Sequence, residues 1–154
     1  MSGNKNPKLP FEKDEKAKLR KAKVKISDIH NKEVDELSKI LCVPMNRARL
    51  IKGLASFQLV PSIGEKLAEK IVHNLEINSL HEIRDENGAE LFDKLESNLG
   101  VWTDPCVEDQ IRCVIYYANH PKSNKQWFDF TEERKLYRQR NGYPESRPKK
   151  AWYE

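Results

Sequence analysis

Pro61-Ser62-Ile63-Gly64, with Lys66 and Lys70 just beyond, is the stretch whose residue types and spacing suit an anionic oxygen. Pro61 presets the φ that the second position of a turn needs, and Gly64 offers backbone without a Cβ. Ile63, Leu67 and Ile71 then recur at i, i+4 and i+8, with Ala68, Val72 and Leu75 beside them, so a helix with one apolar face starts here. The first amides of such a helix have no acceptor inside it, and two ammonium groups would lie beside them, which together suit a phosphate. Val60 completes the hinge on the side of the preceding helix. Ser62 is the awkward member. A type II turn with proline second wants φ > 0 at its third position, where a serine is strained by about 1 kcal/mol or more.

The elements that would hold this hinge are all helical. Asn31 is a fair N-cap for a helix carrying Val34, Leu37, Ile40 and Leu41, which Val43-Pro44 ends. A second helix spans about Asn46 to Leu54, with Leu50, Ile51 and Leu54 facing inward. Val43-Pro44 and Leu50 faintly echo Val60-Pro61 and Leu67, although Arg47 stands where the echo would need glycine. Arg47, Arg49 and Lys52 give this helix a basic edge, a secondary set of phosphate contacts or simply a solvated face. Beyond the hinge, residues 75–79 read as a linker. Leu80 and Ile83, then Leu91, Phe92, Leu95 and Leu99, mark two short helices with a turn at Asn87-Gly88. Asp104-Pro105 is a strong helix start, a cap followed by proline at the first helical position. Val107, Ile111, Val114, Ile115 and Ala118 make it the longest and most buried helix, ending before His120-Pro121. Thr131 is expected to cap a short polar helix reaching Arg140, and Gly142, Pro144 and Pro148 favour irregular chain after it.

The chain has 154 residues, 38% hydrophobic and 34% charged, enough for one domain with a core. Its longest apolar run, Cys113 to Ala118, is far too short to cross a bilayer, and no apolar stretch follows the first lysines, so a cytoplasmic location is the default. Cys42, Cys106 and Cys113 lack CxxC spacing, and no paired ligand spacing joins them to His30, His73, His81 or His120, so reduced thiols are expected and no metal or other cofactor. The net charge of +4 hides an asymmetry: residues 1–25 balance to +6, residues 26–121 to −6 and residues 122–154 to +4. The division that follows is a basic, solvated arm over 1–30, a helical domain over 31–121, and an aromatic and basic extension over 122–154 whose first part packs on the core. In that extension Trp127, Phe128, Phe130, Tyr137, Tyr143, Trp152 and Tyr153 are interleaved with Arg134, Lys135, Arg138, Arg140, Arg147, Lys149 and Lys150. Such a mixture suits single-stranded nucleic acid, or the first aromatics fold back onto the core.

The hinge resembles the helix-hairpin-helix motif of DNA repair and recombination proteins, where it typically reads Pro-Gly-Ile-Gly followed by a polar pair, an apolar residue and an alanine. Pro61, Ile63, Gly64, Leu67 and Ala68 match that pattern, and Ser62 departs from it. Ile77-Asn78-Ser79-Leu80 resembles the segment that packs beneath such hairpins. Asp104-Pro105-Cys106-Val107, Arg112-Cys113-Val114-Ile115-Tyr116-Tyr117-Ala118 and Trp127-Phe128-Asp129-Phe130 extend the resemblance to the bacterial pathogenicity-locus family of helix-hairpin-helix proteins, related to the N-terminal part of mitomycin resistance proteins. It covers roughly residues 35–135.

The resemblance implies a compact all-α, helix-hairpin-helix (SAM-like) domain that binds DNA, and it brings no catalytic residues. The expectation is a non-enzymatic module holding the DNA backbone without sequence specificity through Val60, Pro61, Ser62, Ile63, Gly64, Lys66 and Lys70, with a role in repair or damage resistance. The acidic middle of the chain and Ser62 support the alternative, a protein-interaction or scaffold module that uses the same surfaces for a partner or for self-association. Carboxylates such as Asp85-Glu86 and Glu132-Glu133 read as solvated surface, and no nucleophile-base set or phosphate-cradling glycine loop assembles from local spacing.

Overall fold

The computed structural model describes residues 6–154, and their regular structure is all helical apart from one isolated bridge between Trp102 and Ala151. The helices are α1 (Lys13–Lys21), α2 (Val34–Leu41), α3 (Met45–Phe57), α4 (Glu65–Glu69), α5 (Leu80–Ile83), α6 (Gly88–Leu99), α7 (Pro105–Asn119) and α8 (Thr131–Asn141). A π-helical turn, Lys70–Asn74, continues α4, and 3-10 turns occupy Ile26–Asn31 and Trp127–Phe130. No helix among the described residues is long and apolar enough to cross a membrane.

Two apolar clusters share α3 as a common wall. Ala48, Ile51 and Ala55 pack with Leu19, Ile29, Leu37 and Leu41 on one side. Leu54 and Phe57 pack on the other with the hinge, α4, α6 and α7, around Ile71, Phe92, Leu95, Ile111 and Val114. Gly53 lies between them for a reason of contact. A Cβ there would meet the Asn78 carbonyl oxygen at 2.8 Å, so only glycine lets α3 approach the linker after α4 this closely.

Local signals place several boundaries where expected. Asn87 accepts from the Glu90 amide at 3.0 Å and starts α6, and Asp104 accepts from the Cys106 amide at 2.8 Å and starts α7 behind Pro105. Others differ. Asn31 ends the 3-10 turn rather than capping α2, whose N-cap is Glu33. Thr131 is not a cap: Phe130 holds that position, and the Thr131 hydroxyl donates to Asp109 Oδ2 at 2.8 Å.

The N-terminal segment also differs from a solvated arm, although its residues 1–5 lie outside the described residues. α1 opens with a capping box between Glu12 and Glu15 and buries Leu19 against Leu37 and Leu41. Glu15 is itself buried. It receives Arg47 at 2.7 and 2.8 Å, from a position 32 residues away, and this pairing makes the burial of its carboxylate tolerable.

A larger set of ion pairs fastens the C-terminal third. Glu96 on α6 and Glu108 and Asp109 on α7 are fully buried. Arg134 grips Asp109 at 2.8 and 3.2 Å. Arg138 reaches Glu108 at 2.9 Å and Asp93 at 2.9 Å, and Arg112 meets Glu108 at 3.0 Å and Glu133 at 2.7 Å. Arg147 takes both oxygens of Glu96, at 2.7 and 3.0 Å, while the Thr103 amide donates to the same carboxylate at 2.7 Å. The Tyr143 ring lies between two of these cations, 4.1 Å from Arg138 and 3.7 Å from Arg147. Of the first aromatics of this region, Phe130 is buried, Trp127 is half-buried and Phe128 is exposed.

Removing one partner of a buried pair leaves the other charge without compensation. Arg147→Ala is therefore expected to destabilise the protein by about 3 kcal/mol, read from urea unfolding followed by circular dichroism.

Candidate functional site

The hinge between α3 and α4 has the marks of a type II turn. The Ile63 amide donates to the Val60 carbonyl at 3.1 Å, Pro61 is second, and Ser62 at the third position has φ of +66°. Val60 and Ile63 are buried and fix the turn to the core, while Ser62 and Gly64 face solvent. Ser62 thus carries the strain its sequence position implies. Its hydroxyl also has a task that no local pattern announces. It accepts from the Trp127 amide at 2.9 Å, a partner 65 residues away, and donates to the Pro61 carbonyl. The residue that departs from glycine ties the C-terminal region to the hinge.

Gly64 sits in extended backbone, at φ −107° and ψ −169°, so its conformation does not demand glycine. A Cβ added there would meet nothing within 4 Å. That open side looks into a cleft of about 600 Å³ lined by Lys8, Gln58, Gly64, Lys66, Lys70 and Gln110, with Glu65 as its one acidic side chain. Lys8 was not foreseen at the hinge. Gln58, next to the end of α3, holds it there. The side-chain oxygen of Gln58 accepts from the Lys8 amide at 3.0 Å, and its Nε2 donates to the Lys8 carbonyl at 2.9 Å. Lys8, Lys66 and Lys70 make no ion pair among the described residues, so all three charges are free to meet an anion.

The secondary set divides. Arg47 does not join Arg49 and Lys52 as a free cation. Its guanidinium is spent on Glu15 and on the Pro10 carbonyl, 2.9 Å away. The pairing is mutual: the Arg47 hydrogen bond holds Glu15 below the ordinary glutamate range in spite of burial, and Glu15 pushes Arg47 further up. Arg49 is exposed and Lys52 half-buried, and both lack an ion pair among the described residues.

The thiols of Cys106 and Cys113 are poorly set for nucleophilic work. Burial pushes Cys113 up to about 11. Cys106 is also raised, by burial first and by its hydrogen bond to Asp104 second. Among the described residues no three His, Cys, Asp or Glu side chains group as metal ligands would.

The family described as Pathogenicity locus matches residues 51–136, a stretch running from within α3 to within α8 and covering more than half of the chain. The chain belongs to the Pathogenicity locus family. In this member of the family, the matched stretch contains the whole hinge with Lys66 and Lys70. The matched stretch leaves out Lys8, Arg47, Arg49 and Arg147. No curated protein and no solved structure matches the chain.

Ser62 can be tested by two substitutions. The hydroxyl bond and the strain of positive φ each amount to about 1 kcal/mol and act in opposite directions. Ser62→Gly, which loses both, should melt close to the parent protein. Ser62→Ala, which loses the bond and keeps the strain, should be destabilised by about 1 kcal/mol, measured by thermal denaturation.

Proposed function

We propose that this chain is a helix-hairpin-helix module of the SAM-like kind that holds DNA by its phosphate backbone, without sequence preference and without catalysis. The observation that carries the reading is the open cleft at Gly64, beside a turn of type II geometry and lined by three lysines without an ion pair among the described residues. Phosphate contacts of this sort give affinity and register but do not read bases. The likeness of the hinge to that of DNA repair proteins, and of the wider sequence to the N-terminal part of mitomycin resistance proteins, supports a role in repair or damage resistance. The site residues are Lys66, Lys70 and Lys8 with the backbone of Val60–Gly64, and Arg49 and Lys52 are the secondary contacts left once Arg47 is spent on Glu15. No cofactor is involved, and the module acts in the cytoplasm.

A second reading also has an observation behind it. Leu59 is 39% exposed and Phe128 53% exposed, one just before the hinge and the other next to the residue bonded to Ser62. Exposed apolar side chains of this size suit a protein partner or a second copy.

Fluorescence anisotropy with a labelled duplex across a salt series separates the two. Binding should weaken steeply with salt. Lys66→Ala with Lys70→Ala should weaken it by about tenfold or more and flatten the slope of log K against log salt by about 2. Unaltered binding by the double variant removes the hinge as the contact. No duplex binding by the parent chain leaves the protein-partner reading.

A further inference from the structure

The last described segment presents a second surface, distant in sequence from the hinge. Trp102 and Ala151 pair as a short bridge: the Trp102 amide donates to the Lys150 carbonyl at 2.9 Å, and the Trp152 amide donates to the Trp102 carbonyl at 2.9 Å. Ala151 is fully buried, and Lys150 and Trp152 are both exposed. The Lys150 and Trp152 side chains are both at the surface, and the backbone at both positions is bonded to Trp102. Tyr153 adds a third aromatic, its ring edge-on to Trp152 at 5.6 Å and to Trp102 at 5.8 Å.

This arrangement is costly if it serves only packing. Trp152 is 55% exposed and Tyr153 67% exposed, although the Trp152 amide is bonded to Trp102. The charge around them is selective. Arg147 is spent on Glu96, and the Glu154 side chain accepts from the Ala151 amide at 3.0 Å. Lys149 and Lys150 form no ion pair among the described residues. Two exposed aromatics are thus left with Lys149 and Lys150 just before them in the chain, and the Glu154 carboxylate is held on the Ala151 amide.

We propose that Trp152, with Tyr153, is a stacking platform for an unpaired nucleobase, and that Lys149 and Lys150 take the phosphate attached to it. A single strand offers a planar base and one negative charge per nucleotide, which complements an indole next to an ammonium. A duplex keeps its bases inside the stack, so the platform selects single strands or frayed ends. The inference shares with the hinge reading only the class of polymer, and it rests on other residues.

The test uses the full chain with two labelled single strands of equal length, an oligothymidylate and an abasic deoxyribose-phosphate polymer. Trp152→Ala should weaken oligothymidylate binding by at least about fivefold and leave the abasic polymer unchanged, and Trp152→Phe should restore most of the loss. Lys66→Ala with Lys70→Ala should weaken both polymers, which separates the hinge from the platform. Equal binding of oligothymidylate by Trp152→Ala and the parent protein overturns the inference and leaves the hinge reading standing. Equal weakening of both polymers by Trp152→Ala also overturns it. So does a parent chain that fails to bind oligothymidylate, or a Trp152→Ala effect on sedimentation alone, which would make the patch a contact between copies.

Discussion

Three carboxylates without exposed surface, Glu96, Glu108 and Asp109, govern how the C-terminal third of this protein lies on its core. A carboxylate removed from water is tolerated only when a cation and further donors replace its hydration. Those cations come mainly from later in the chain, Arg134, Arg138 and Arg147, with Arg112 helping from within α7. The negative balance of residues 26–121 and the positive balance of residues 122–154 are thus two halves of one interaction. Arginines that look from the sequence like a basic tail for phosphate are largely consumed in holding that tail down. What remains for a polyanion is mostly lysine, and lysine is concentrated elsewhere.

The sequence makes the helical architecture legible wherever the determinant lies within a turn or two. Asp104-Pro105 marks the start of α7, and the stripe through Val107, Ile111 and Val114 marks its buried face. Pro61 points to a type II turn, whereas Ser62 argues against the positive φ that it holds. Apart from the start of α2, the missed features depend on distant partners. α1 has no clean apolar face and is held by one leucine and by Arg47. Glu96 meets Arg147 across 51 residues, and Lys8 reaches the cleft because Gln58 sits 50 residues on. Periodicity cannot choose among many possible arginine-carboxylate pairings. It also gives no hint that a glutamine beside a helix end will clamp a strand of backbone.

The hinge combines both kinds of determinant. Its turn is local, but its setting is not. Ser62 fastens the start of the Trp127–Phe130 turn, and Phe130 is buried in the same cluster as Val60 and Ile63. The hinge, the linker at Asn78 and the C-terminal region therefore rest on one another, with α3 against all of them through Leu54, Phe57 and Gly53.

The position of α3 between two clusters bears on how the chain could be shortened. The stretch that defines the family begins at Ile51, partway along this helix. A fragment cut at that boundary would lose α1, α2 and the first turns of α3, and with them Leu37, Leu41 and Ala48. It would keep Ile51 and Ala55 on a face that had lost its cover. That bared stripe would invite aggregation and leave α3 short of the length it needs to hold its own shape. The apolar cover of α3 therefore extends past the family boundary, back to the helix that carries Leu19.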